Sequence, residues 1–186
     1  MIERLPVDGR VDDAGYMANE TGSGPVKPVF RIADAADGPR LIEMINAAFM
    51  VEAFVGGTRT DAERLARSME TGEILLAEDG AGRMLGSVYM ERKGRRGFLG
   101  MLAVDPAEQR RGVARMLLRE AEGRFRAEGL EAVDIMVLNL RPELLPVYKR
   151  MGYEVQERKE VKLGRPLKDG LECWGLVMRK VLGTSI

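Results

Sequence analysis

The chain has 186 residues, room for one domain with a real core and an extension, but not for two full domains. Its 29 lysines and arginines balance 29 aspartates and glutamates, so no overall field draws it toward nucleic acid or an anionic membrane, and any anion site must be local. With no histidine and one cysteine, Cys173, internal disulfides, the usual zinc ligands and every histidine-dependent triad drop out; no metal is expected.

The opening MIERLPVDGR lacks the apolar centre of a signal peptide, and no later run approaches the roughly 20 apolar residues that span a bilayer. A cytoplasmic protein is expected, in which the Asn19-Glu20-Thr21 glycosylation pattern is a chance match. Residues 1–28 show no sustained period and end in the glycine- and proline-bearing TGSGPVKP, which predicts an irregular arm before a folded domain at 29–183. From Phe30 a short strand is expected to end at Asp34, followed by a helix on which Leu41, Ile42, Ile45 and Phe49 recur at helical spacing. DAERLARSME predicts a second helix, with Thr60 as its possible cap.

Three strand-like runs follow, EILLAED, RMLGSVYMER and GFLGMLAVD, separated by DGAG and KGRR, which predicts an antiparallel meander. Gly80, Gly82 and Gly86 lack the spacing of a dinucleotide fingerprint and no helix follows them, so they read as hairpin glycines. The patch RKGRRG lacks interleaved aromatics and reads as a charged hairpin tip, not a nucleic-acid site. QRRGVARMLLREAE then reads as an amphipathic helix opening at Gln109, with Val113, Leu117, Ala121 and Phe125 on its apolar face. AVDIMVLNL is an apolar, β-branched run and hence a buried strand, parallel to the one before the helix. RPELLPVYKRMGY is a short helix bounded by Pro142, Pro146 and Gly152, and YEVQERKEV and CWGLVMRKVL make a closing strand pair.

The first turn of a helix carries unpaired N–H groups and partial positive charge, and glycine lets a ligand approach the backbone, so the helix start beside Gly112 is a natural phosphate site. In order, the strand FLGMLAV, the turn DPAEQRRGVA, a strand ending in Asn139 and a helix carrying Tyr148 before Gly152-Tyr153 resemble the GNAT superfamily of acyl-CoA-dependent N-acyltransferases. The family's phosphate signature is Gln or Arg, two variable residues, Gly, one variable residue, then Gly or Ala; Gln109, Gly112 and Ala114 fill it. The resemblance runs from about Phe30 to Leu182 and is most specific from Leu99 to Tyr153. It implies an α/β (α+β) domain whose central, mixed but mostly antiparallel sheet is flanked by helices, with strands splayed at the cofactor site.

It also implies acetyl-CoA as cosubstrate and direct transfer of its acetyl group to a primary amine, most simply a small molecule, with an acyl-CoA-binding sensor without turnover as the competing class. The chain would act as a monomer or homodimer, without nucleic acid or membrane as partner. The diphosphate would rest on the amides of Arg111, Gly112, Val113, Ala114 and Arg115, with Gln109, Arg110, Arg111 and Arg115 around them. The pantetheine amides would pair with the backbone of Met101, Leu102, Ala103 and Val104. Asn139 either faces the pantetheine or caps the following turn. Tyr148 either protonates the departing thiolate or is a packed aromatic.

An amine of pKa ~10.4 is neutral only about one part in a few thousand at pH 7, a penalty of roughly 4.6 kcal/mol, so a proton acceptor is useful. FLGMLAV offers none; Glu91, the nearest acid by sequence, reads as a strand-edge carboxylate, and no base is assigned. Acceptor choice in the family comes from the segments matching MVEAFVGGTRT and KEVKLGRPLKDGLECWG. Phe54, Arg59 and Trp174 lie there, each suited to an acceptor pocket, with Arg59 matching a carboxylate, or to ordinary packing and surface. Cys173 lies outside the matched motifs and has no histidine to activate it as a nucleophile.

Overall fold

The computed structural model describes residues 27–168 and 170–183, so the expected arm falls almost wholly outside the described residues. Strand β1 (Val29–Ile32) leads into a 3-10 turn (Ala35–Asp37) and helix α1 (Gly38–Ala48). A reciprocal cap starts this helical segment: Ala36 N donates to Asp34 Oδ1 at 2.8 Å and Asp34 N donates to Asp37 Oδ2 at 2.9 Å. Helix α2 (Ala62–Thr71) is capped by Asp61, not by Thr60. Asp61 has the extended backbone a cap requires, and its carboxylate accepts from Arg64 N at 2.8 Å. Thr60 is buried, and both of its backbone groups bond the Asn46 side chain.

The meander forms as expected, from β2 (Glu73–Glu78), β3 (Met84–Lys93) and β4 (Arg96–Val104). Its turns use positive φ at Gly82 and Gly94. Every cation of the RKGRRG tip is ion-paired within the chain: Arg92 to Glu73 and Glu128, Lys93 to Glu91, Arg95 to Glu131, Arg96 to Asp134. Helix α3 (Val113–Ala127) crosses to β5 (Ala132–Leu138), parallel to β4. After α4 (Leu144–Arg150), strands β6 (Glu154–Glu160) and β7 (Trp174–Val181) close the sheet in the order β1-β2-β3-β4-β5-β7-β6. The architecture is the expected α/β sheet with one parallel pair, but β7, not β6, lies against β5.

The two sides of the sheet bury separate cores. Successive residues of β2 alternate between them: Leu75 and Ala77 meet α3, while Ile74 and Leu76 meet α1 and α2. The predicted stripe of α3, Val113, Leu117, Ala121 and Phe125, is wholly buried, as are Leu41 and Ile45 of α1. Arg31 ties β1 to both neighbours, reaching Asp37 at 2.6 and 2.7 Å and Glu78 at 2.8 Å through both oxygens. On the α3 side, the buried Glu122 carboxylate receives the Tyr153 hydroxyl at 2.8 Å and the Lys180 ammonium at 2.5 Å. No helix of the described residues is long and apolar enough to cross a membrane.

Candidate active site

The parallel pairing of β4 with β5 runs only from Arg96↔Ala132 to Leu99↔Ile135. Beyond Leu99, β4 stays with β3 while the rest of β5 stays with β7, so the two strands part and the β4 edge facing the gap has no strand partner. A bulge sharpens the divergence. Gly100 opposes Tyr89 and Ala103 opposes Ser87, leaving an extra residue on β4, and Met101 adopts φ +50°. The gap opens into a cleft of about 860 Å³ that runs from the start of α3, past both strand ends, to the segments around residues 49–59 and 161–165.

The phosphate-signature residues form a turn at one end of this cleft. Asp105 caps a 3-10 turn (Pro106–Glu108), Arg110 and Gly112 both take left-handed backbone with φ +64° and +81°, and α3 begins at Val113. The helix therefore starts four residues later than the sequence pattern predicts, because left-handed residues interrupt it. The first intrahelical bond is Met116 N to Gly112 O at 3.0 Å, so the amides of Val113, Ala114 and Arg115 have no partner within the helix. All three residues lie on the cleft wall. Gly86 lets this helix start sit close to the sheet: a Cβ there would stand 3.1–3.2 Å from Leu117 and Val113 and 2.7 Å from Ala103 O.

Buried Glu108 organises the arginines around the turn. It lines the cleft and accepts from Arg83 Nη2 at 2.7 Å and from Arg111 Nη1 at 2.6 Å; Arg111 itself is not on the wall. Arg110 and Arg115 lie on the wall and make no hydrogen bond or ion pair among the described residues. Two cations and three orphan amides face one space, a setting that fits a diphosphate. Gln109, Met101, Leu102 and Val104 also line the cleft. Ala103 does not: its side chain is buried against the α1 side, and its backbone opposes Ser87.

Tyr148 lies on the cleft wall between these ends, held edge-on against Tyr153 with ring centroids 5.9 Å apart. Its hydroxyl makes no hydrogen bond among the described residues, and burial pushes its pKa above the ordinary phenol value despite the opposing pull of Arg141. It is a protonated donor at neutral pH. Asn139 is engaged elsewhere: Trp174 N donates to its Oδ1 at 2.8 Å and its Nδ2 donates to Glu172 O at 3.0 Å, so it fastens the start of β7 to the end of β5 and is not on the cleft wall. Glu91 is paired with Lys93 and is also off the wall. Burial and nearby Glu52 push the Cys173 thiol up, away from the reactive thiolate.

The other end of the cleft is built from two segments distant in sequence. Gly56 N donates to Pro166 O at 2.9 Å and Lys168 N to Phe54 O at 3.1 Å, and Val55 bridges Leu167. Arg59 lies on this wall, while Phe54 and Trp174 do not; Trp174 instead lies beneath the guanidinium of Arg158. Sequence reasoning missed buried Glu52, which lies here and accepts from Arg165, with Arg141 3.8 Å away. Its partner Arg165 is 113 residues away, so no local pattern announces the pair.

The chain is 32% identical over 126 residues to the mycothiol acetyltransferase of Propionibacterium freudenreichii, covering 64% of this chain and 40% of that protein. Across the curated relatives it matches, the chain spans between 40% and 66% of their own lengths. In fold it is similar to the ribosomal-protein-S18-alanine N-acetyltransferase of Escherichia coli, with TM-score 0.71, 17% identity, and 86% and 97% of the two chains covered. It is also similar to a phosphinothricin acetyltransferase from Sinorhizobium meliloti solved in complex with acetyl-CoA, with TM-score 0.67, 19% identity, and 84% and 89% covered. Residues 43–167 match the acetyltransferase (GNAT) domain model, and the chain belongs to the GNAT acetyltransferase family.

Proposed function

We propose that this protein transfers an acetyl group from acetyl-CoA to a primary amine by direct attack. The observation that carries the reading is one continuous cleft holding, in order, a helix-start turn with three orphan amides, a strand edge without a strand partner among the described residues, and a phenol with no hydrogen bond among them. The amides of Val113, Ala114 and Arg115, with Arg110 and Arg115, hold the diphosphate. The open edge of β4 across Met101–Val104 receives the pantetheine amides as a further strand would. Tyr148 faces the thioester sulfur.

The amine nitrogen forms the new C–N bond as the thioester C–S bond breaks. Tyr148 gives its proton to the sulfur and regains one as the nitrogen sheds its own through solvent. A positioned acid of this kind contributes typically ~10²- to 10⁴-fold. The protein should release free thiol from acetyl-CoA only when an amine is present, with acetylated amine formed in equal amount. Coenzyme A binding without turnover on any class of amine would overturn the transferase reading in favour of a sensor.

A further inference from the structure

Among the described residues, the acceptor end of the cleft carries one guanidinium without an anion. Arg59 makes no hydrogen bond or ion pair among the described residues, and its Nε is buried without a partner. Its guanidinium lies 4.9 Å from the Phe49 ring centroid, a contact that fixes its place without neutralising it. The acid on that wall, Glu52, has one oxygen on Arg165 and the other toward Arg141. Arg141 also holds the exposed Glu143 outside the cleft. Lys162, on the same wall, has no ion pair among the described residues. Counting every charge named here, four cations face two carboxylates.

A guanidinium stays charged at any ordinary pH, and leaving its Nε donor buried and unpaired is costly. Burial pushes the Arg59 pKa below its usual range, and Arg165 and Arg64 add to that against the pull of Glu52. The excess of positive charge disfavours polyamines and other polycationic acceptors. A planar two-pronged donor set matches a carboxylate.

We infer that the acceptor is a small amine that also bears a carboxylate, an amino-acid-like molecule whose carboxylate is bound by Arg59 while its amine reaches the thioester. This rests on the transferase reading above. Arg59 is thus a specificity-determining residue, with no part in the bond-making step.

The test compares matched acceptors, each amino acid against its own carboxamide, with acetyl-CoA saturating. For wild type the acids should exceed their amides in kcat/KM by tenfold or more. In Arg59→Met that ratio should collapse toward one, the loss appearing chiefly in KM for the acids, and Arg59→Lys should restore it in part. Coenzyme A affinity, read by thermal shift, should stay as in wild type, which also reports folding. Amides or diamines turned over as well as acids, or an acid-to-amide ratio unchanged in Arg59→Met, would overturn the inference and leave the transferase standing. Coenzyme A binding without turnover of any acid, amide or diamine would overturn both.

Discussion

Replacing Gly112 by asparagine separates the anion site from the fold that carries it. Gly112 has φ +81° and ψ 1°, left-handed backbone that asparagine tolerates and a β-branched residue does not. Valine would therefore confound strain with binding, whereas asparagine should cost the free protein about 1 kcal/mol, or ~2–4 °C for a chain of this size. Its side chain would stand at the mouth of the three orphan amides. Losing one or two charge-assisted bonds of about 1.5–3 kcal/mol each weakens binding roughly tenfold to well over a hundredfold. At a coenzyme A concentration of about 100 times the wild-type Kd, the ligand should stabilise wild type by ~2.7 kcal/mol, raising Tm by about 5–11 °C. A tenfold weaker site leaves ~1.4 kcal/mol of that and a hundredfold weaker one ~0.4 kcal/mol. The assay is differential scanning calorimetry with and without coenzyme A. A full ligand-dependent shift in Gly112→Asn would refute the phosphate cradle.

Tyr148→Phe keeps the ring and its edge contact with Tyr153 but removes the proton, and should lower kcat by roughly 10²-fold with coenzyme A affinity retained. Because burial raises the Tyr148 pKa, the wild-type alkaline limb should lie above the ordinary phenol value of ~10 and vanish in the variant; an identical limb in both would remove Tyr148 as the acid. Arg31→Met strips the partner from two buried carboxylates, and with Arg31 partly exposed should cost about 2–4 kcal/mol at pH 7 by urea unfolding. Arg31 holds the Asp37 carboxyl below its usual range, so that stability is present above pH ~4 and lost as pH falls through the folded-state value. The gap between the two proteins should shrink in acid, and a constant gap would contradict it. A Cβ on Gly97 would stand 2.4 Å from the buried Phe125 ring, so Gly97→Ala should cost roughly 1–3 kcal/mol, and Phe125→Leu in the same chain should recover part of it; strict additivity in the double-mutant cycle would refute the clash.

The parts of the structure legible in the sequence were those set by local period and turn chemistry. The DGAG and KGRR turns between alternating runs located the meander, and the four-residue spacing of Val113, Leu117, Ala121 and Phe125 located the buried face of α3. The turn before α3 was legible as a sequence pattern, but not its geometry: Arg110 is a non-glycine residue in left-handed backbone, which nothing in its neighbours requires. The same holds for Met101, whose positive φ makes the bulge that parts the strands. Thr60 and Asp61 are both acceptable caps by residue type, and only the tertiary bonds from Asn46 to Thr60 decide between them. Asn139 misleads because its place at a strand end suits a ligand contact, while its actual partners lie 33 and 35 residues on. Long-range ion pairs such as Arg31 with Glu78 and Glu52 with Arg165 have no sequence signal at all.

The insertion of β7 between β5 and β6 has a consequence for the order in which the chain assembles. Strand β5 is complete at Leu138, yet its neighbour on that side is not synthesised until Trp174–Val181, after α4 and β6 have already emerged. Until then β5 presents an unpaired, largely apolar edge, and β6, whose only strand partner among the described residues is also β7, has nothing to pair with. The side of the sheet beyond β5 is thus completed by β7, after the meander and α3 have been made. A nascent chain paused between residues 160 and 174 would hold the finished meander and α3 beside an open β5 edge that can capture a second copy.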